Sequence, residues 1–412
     1  MNTTQKNIVI INSVPINGGD EALLKATISI LQNNFENPNI SILCNNPVLY
    51  KKYFPTLDLH WDWEYSFFCP DTQKPSLVFK IKRKIRFYLN QYLKLSYAHF
   101  FSKMLASKRE QSVLEILKNS DFVIASAGGY IHDFYGFNKR LNTIEFIHKV
   151  LRKPYYIFYQ SVGPFWKPEN YQRLNQVFKN AKKVIVREHY SVAHLKNIGY
   201  TASNIVLSND IAFYLNKEYS KPVNVDRKLK RIAINFRAWR YETESEQTLE
   251  KAVKLCNKLV LAGYQLSFIS TCQGVPGYTN DTIYFKEIMA KLAPKIQAQI
   301  HINTAKMSLE NFLQEVATCD AYIGMRLHGA ILSLMAGIPV LNIAYEDKSL
   351  GIFKALNLED CSFSFKENMD TWFTKTDAFI ENYKTYLNSI ETKRKEAETV
   401  VANHFKEHIV NA

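Results

Sequence analysis

The chain has no C-x-x-C pair, no G-x-G-x-x-G turn, no G-K-[ST] phosphate loop and no acidic D-x-D pair. It also lacks any apolar run long enough to cross a bilayer. The first gap excludes a zinc-ribbon framework, and the next two exclude the dinucleotide and Walker fingerprints. The last removes the usual acidic metal pair of a nucleotide-sugar enzyme. No helix-turn-helix, zinc finger or RNA-binding signature is visible, so nucleic acid is not an expected partner. Six scattered cysteines (Cys44, Cys69, Cys256, Cys272, Cys319, Cys361) sit mostly in apolar runs. They suit buried free thiols in a reducing compartment. The short polar start, Met1 to Asn7, leads straight into a strand, and no secretory leader is expected. The expected location is cytoplasmic, with membrane attachment at most peripheral.

What is present is length and positive charge. At 412 residues the natural prior is two domains. Fifty-two Lys and Arg against thirty-eight Asp and Glu leave +14, which favours acidic partners. The charge concentrates in Lys80-Ile81-Lys82-Arg83-Lys84-Ile85-Arg86, which runs into aromatic and leucine residues up to Phe101. Two readings of Lys80–Phe101 stay open. One is a helix that packs its apolar face and snorkels its lysines; the other is contact with an anionic membrane surface.

Strand-like and helix-like segments alternate through both halves. Ile8 to Asn12, Ile40 to Leu43, Phe122 to Ser126, Tyr155 to Tyr159 and Lys183 to Val186 read as strands of a first parallel sheet. Arg231 to Phe236, Gln265 to Ser270, Ala321 to Gly324 and Val340 to Ala344 read as strands of a second. The expected organisation is an N-terminal domain (1–207), a linker (208–230), a C-terminal domain (231–372) and a charged helical tail (373–412). The fold class is α/β: two doubly wound Rossmann-like domains facing each other across a cleft.

Polar turns follow the strands, on the edge where such sheets bind ligands. The densest is Met325-Arg326-Leu327-His328-Gly329, which enters a short apolar helix from about Ala330 to Ala336, closed by Gly337. Arg326 and His328 at a helix N-terminus suit a phosphorylated or carboxylated substrate. Pro339 then starts the next strand, and Tyr345-Glu346-Asp347-Lys348 follows it. In the first half, Asn17-Gly18-Gly19-Asp20 lets the backbone approach a ligand and places Asp20 to cap a helix. Gly128-Gly129 with His132 and Asp133, then Gln160-Ser161-Val162-Gly163-Pro164, then Arg187-Glu188 are further polar turns. Arg237-Ala238-Trp239-Arg240 follows the strand at Arg231. Each alone could be an ordinary turn or a solvated ion pair; together they put polar chemistry on one edge of both domains.

In this order these segments, with Asp210-Ile211-Ala212-Phe213, resemble the polysaccharide pyruvyl transferase family over roughly residues 8 to 353. The R-L-H-G block with the following G-I-P and Lys348 is the most specific part. The resemblance implies a GT-B-like fold and transfer of the pyruvate moiety of phosphoenolpyruvate onto two hydroxyls of a sugar in a cell-surface polysaccharide or its lipid-linked precursor. A pyruvate ketal forms and phosphate is released. It implies donor binding by Arg326, Arg237 and His328 in the C-terminal domain, helped by Lys348, Leu327 and Gly329. The acceptor would lie against the N-terminal turns that carry Gly18, Gly19, Gly128, Gly129, Gln160 and Arg187. Two departures from the family's usual pattern, Asn17-Gly18-Gly19 and Ala127-Gly128-Gly129-Tyr130, fall on that acceptor side. His328 is the expected general acid, since an imidazole titrates near neutrality. Asp20 and Asp133 are candidates for the base or for gripping sugar hydroxyls. No metal and no cofactor beyond the donor is expected. A GT-B glycosyltransferase or sialyltransferase using a nucleotide sugar, and a non-catalytic glycan- or membrane-binding scaffold, are the competing readings.

Overall fold

A computed structural model describes residues 5–64, 77–78, 80–81, 84–85, 108–134, 136–238, 245–275 and 279–411. Most of Lys80–Phe101 lies outside the described residues, as do Trp239 and Arg240. Two all-parallel sheets organise the chain. The first contains β1 (Asn7–Ser13), β2 (Asn39–Cys44), β3 (Leu59–Trp61), β4 (Phe122–Ala125), β5 (Gly128–Ile131), β6 (Tyr155–Val162), β7 (Val184–Val186) and β8 (Ile205–Leu207). Their order is β3-β2-β1-β4-β6-β7-β8, with β5 also paired to β6. The second contains β9 (Arg231–Asn235), β10 (Gln265–Phe268), β11 (Ile300–Ile302), β12 (Ala321–Gly324), β13 (Val340–Ala344) and β14 (Ser362–Ser364), in the order β11-β10-β9-β12-β13-β14.

The central strands are near-continuous apolar runs because both faces are covered by helices. Ile8 to Ile11 and Ile232 to Ile234 are fully buried. In each sheet the strand order reverses beside the first strand, between β1 and β4 and between β9 and β12. Such a reversal opens a crevice beyond the carboxyl ends of the strands. The turns that leave β1, β4, β9 and β12 therefore border one cleft.

The two units touch at its rim. The amide of Gly18 donates to the Thr271 carbonyl at 3.0 Å, and the Leu309 amide donates to Glu21 at 3.1 Å. Lys25 bridges Glu21 and Glu310. The final helices, Met369–Glu381 and Tyr383–Phe405, make up the expected charged helical tail. The second returns to the first unit, where the Tyr159 hydroxyl donates to the Val401 carbonyl at 3.0 Å and Asn216 donates to Glu398 at 2.8 Å. Within the expected linker, Ile211, Ala212 and Phe213 are buried in a 3-10 turn (Ile211–Leu215). Cys44, Cys256, Cys272, Cys319 and Cys361 are buried free thiols. Among the described residues no helix is long and apolar enough to cross a membrane.

Candidate active site

The cleft has a volume of about 460 Å³ and draws its walls from both units. The first supplies Asn12, Ser13, Asn17, Asp20, Asn45, Ser126, Gly128, Gly129, Tyr130, Arg140 and Arg187. The second supplies Arg237, Thr271, Cys272, Thr279, Arg326, Leu327, His328, Tyr345 and Lys348.

Arg326 leaves β12 and forms the N-cap of the helix Leu327–Met335, which starts three residues earlier than the apolar pattern suggests. Asn235, at the end of β9, accepts the Arg326 amide at 3.0 Å and fixes the turn. The guanidinium is already half committed. Nε and Nη2 donate to the two carboxylate oxygens of Asp281 at 2.8 and 2.6 Å, a buried fork. Burial alone would make Arg326 less basic, but Asp281 outweighs it and holds the charge firmly in place. Nη1 remains for the cleft. No side chain caps this helix, so its first-turn N–H groups are available to an anion.

Arg237 places its guanidinium 4.5 Å from the Tyr345 ring centroid, a cation–π contact that orients it. Lys348 Nζ pairs with Glu346 at 2.8 Å. Burial would raise the Glu346 carboxyl, and Lys348, then His132 and Arg237, hold it below the ordinary value. A Cβ at Gly129 would lie 3.2 Å from Lys348 Nζ and 3.4 Å from Arg187 Nη2, so glycine leaves both cations room. His132 is kept neutral, pushed down to about 3 first by burial and then by Lys348.

His328 joins the two units. Its Nε2 lies 3.3 Å from Arg187 Nη1 and 3.7 Å from Asp210 Oδ2. Arg187 and Asp210 form an ion pair at 2.5 Å, with side chains 1% and 0% exposed. Burial would raise the Asp210 carboxyl, but Arg187 and then His328 hold it far below the usual carboxylate range. Nδ1 is turned towards Gly19, where a Cβ would fall 2.9 Å away.

Several expected residues take other places. Asp133 does not border the cleft: Oδ2 accepts the Trp166 and Lys167 amides at 2.7 and 3.0 Å, and Oδ1 accepts from Asn170 at 3.4 Å. It ties down a loop. Asp20 borders the cleft but is not the helix cap; Asn17 is, accepting the Asp20 amide at 2.9 Å while donating to its carboxylate at 2.6 Å. Gly18 and Gly19 are the first residues of the helix Gly18–Asn34, and their missing side chains let it approach the second unit. Gln160 is fully buried within β6, donating to the Ser126 carbonyl, and Gly329 is pressed against the Tyr322 hydroxyl. Neither borders the cleft. Leu327, Gly128 and Gly129 do, the glycines from within β5 rather than from a turn. Asp281 and Asp210 carried no assigned role in the sequence: each is an acid at the start of a helix or 3-10 turn, and only Asp210 also lay in a segment that carries the family resemblance. Cys272, also in the wall, is no nucleophile at neutral pH, since burial pushes its thiol up to about 11.

A family profile described as polysaccharide pyruvyl transferase matches residues 17–347. The amylovoran biosynthesis protein AmsJ of Erwinia amylovora is 26% identical over 423 residues, covering 97% of this chain and 97% of that protein. Among solved structures, Anabaena HepE in complex with UDP-glucose superposes with a TM-score of 0.58 at 10% identity, over 98% of this chain and 99% of that one. The UDP-GlcNAc 2-epimerase of Neisseria meningitidis, bound to UDP-GlcNAc, gives 0.54 at 11%, over 99% and 100%. At these identities the likeness is one of fold, the GT-B-like pair of Rossmann-like units.

Proposed function

We propose, because this chain belongs to the polysaccharide pyruvyl transferase family, that it moves the pyruvate moiety of phosphoenolpyruvate onto two hydroxyls of a saccharide, forming a ketal. The observation that carries this reading is the convergence of Arg326, Arg237, Lys348 and an uncapped helix N-terminus on one wall, with His328 beside them. Phosphoenolpyruvate carries two anionic groups, and Arg326 Nη1, Arg237 and the first-turn amides are suited to them. Relatedness to an amylovoran biosynthesis protein supports a polysaccharide acceptor.

The chemistry requires a proton on the methylene carbon, which makes C2 electrophilic. One acceptor hydroxyl adds to C2 and loses its proton. The bond between C2 and the phosphate oxygen breaks, inorganic phosphate leaves, and the second hydroxyl closes the ketal as its proton departs. His328 supplies the first proton. Asp210 and Arg187, themselves a buried ion pair, hold the ring in place. Asp20 is the carboxylate in the cleft wall able to take a hydroxyl proton or hold a hydroxyl.

Calorimetric titration with phosphoenolpyruvate, UDP and UDP-glucose tests this. Binding of phosphoenolpyruvate that falls at least tenfold in Arg237→Ala is expected, on the order of one charged hydrogen bond. Binding of the nucleotides with no response to phosphoenolpyruvate would replace this reading with a nucleotide-sugar transferase.

A further inference from the structure

The end of β1 is irregular. Asn12 has φ 62°, a left-handed backbone within a central strand, and the pairing of β1 with β2 shifts between Ile10 and Ser13. Such a conformation persists only where the surroundings impose it. Here Asp62 does so: its Oδ2 accepts the Asn12 amide at 3.5 Å, while Thr143 and the Glu64 amide donate to Oδ1 at 3.0 and 3.2 Å. The bulge sets the Asn12 side chain in the cleft wall. That residue is 7% exposed, and among the described residues its Nδ2 has no hydrogen-bond partner.

Tyr130 stands beside it. Its hydroxyl adjoins the side chains of Asn12 and Ser126, yet among the described residues no atom meets it with full bonding geometry, and the residue is 8% exposed. Arg140 covers the ring at 4.1 Å and holds its orientation. Burial pushes the phenol up to about 12, so it is an O–H donor at neutral pH. Buried donors without partners are costly, and native proteins keep few of them. Two, side by side in a cleft wall, are what a ligand would complete. Both are neutral, which suits the hydroxyls of an uncharged sugar ring better than a phosphate.

We infer that Asn12 Nδ2 and Tyr130 Oη form a subsite for ring hydroxyls of a neutral pyranose. It rests on the pyruvyl-transfer reading only in calling that sugar the acceptor.

The test is saturation-transfer NMR on the full chain with methyl β-D-glucopyranoside, methyl β-D-galactopyranoside and methyl α-D-mannopyranoside. Asn12→Gly keeps the left-handed backbone and removes the amide; Tyr130→Phe removes only the hydroxyl. We expect transfer from at least one glycoside, weakened about tenfold in affinity by each substitution, as loss of one buried hydrogen bond implies. Phosphoenolpyruvate, titrated into the same three proteins, should bind all of them alike. Absence of transfer from every glycoside, or transfer that survives both substitutions, overturns the subsite. Glycoside binding lost in both variants, with no phosphoenolpyruvate binding to any, leaves the subsite standing and removes the pyruvyl reading.

Discussion

On the wall built by the second unit, Arg326 faces the cleft with Asp281 behind it, and Lys348 does so with Glu346. On the wall around the ends of β1 and β4, Asn12, Ser126 and Tyr130 face the cleft as neutral groups, two of them with donors unmet among the described residues, beside the charged Asp20 and Arg140. The difference is one of preparation. A buried counter-charge fixes a guanidinium or ammonium before the ligand arrives, so an anion meets an oriented cation. A neutral donor without a partner is completed by the ligand itself. Arg187 and Asp210 are the exception that joins the walls, since they belong to the first unit and reach His328 of the second.

The sharpest way to break this comparison is at the join. His328→Ala should lower turnover about a hundred- to ten-thousandfold while the protein stays folded, the range of a lost general acid. Asp210→Asn should lower turnover by less, because Arg187 beside His328 loses its buried counter-charge. Steady-state phosphate release against pH reads both. Turnover in His328→Ala equal to wild type would leave the residue a binding group only.

Next is the charged wall. Asp281→Ala should destabilise the fold by about 3–5 kcal/mol, because it strands Arg326 in a buried position. Urea denaturation measures it. A change near zero would mean that Arg326 turns to solvent when freed, and that its orientation is not imposed from behind.

The readable parts of this site in sequence were contiguous ones. Met325 to Gly329 displays strand end, cation and imidazole within five residues, although the helix begins at Leu327 rather than near Ala330. Asp281 lies 45 residues from Arg326 and was silent, because the fork exists only once β10 and β12 flank β9. Asn12 looked like ordinary strand; its left-handed turn follows from Asp62, 50 residues on. Asp133 misled for the opposite reason. Two glycines then His and Asp resemble a ligand turn, but the chain continues as β5 and carries Asp133 beyond the cleft to the loop at Trp166. The strand-and-helix alternation fixed the fold class because fully buried parallel strands leave long apolar runs. The final helices were harder to place, since Tyr383–Phe405 is highly charged yet buries Leu387, Ile390, Val401 and Phe405.

The smallest effect separates two buried aspartates, one behind each kind of wall. Asp210 faces Arg187, so its stabilising contribution is complete above its ordinary value near 3.8 and fades only as pH falls below it. Asp62, which holds Asn12, forms no ion pair among the described residues, and burial, opposed only weakly by Arg140, pushes it up to about 6. Its folded form prefers the proton more than the unfolded chain does. The stability it confers is therefore full below about pH 4 and declines as pH rises to about 6, by on the order of 3 kcal/mol if Asp62 acts alone. Glu64, pushed up to about 7 by burial, adds a decline of the same sign that reaches slightly higher. Asp62→Asn mimics the protonated side chain, so the difference in stability between variant and wild type should grow between about pH 4 and pH 6 and then level off. Urea melts at intervals across that range give this difference directly. A difference independent of pH would mean that Asp62 is already ionised at the acid end, as Asp210 is, and the two walls would then share one electrostatic design.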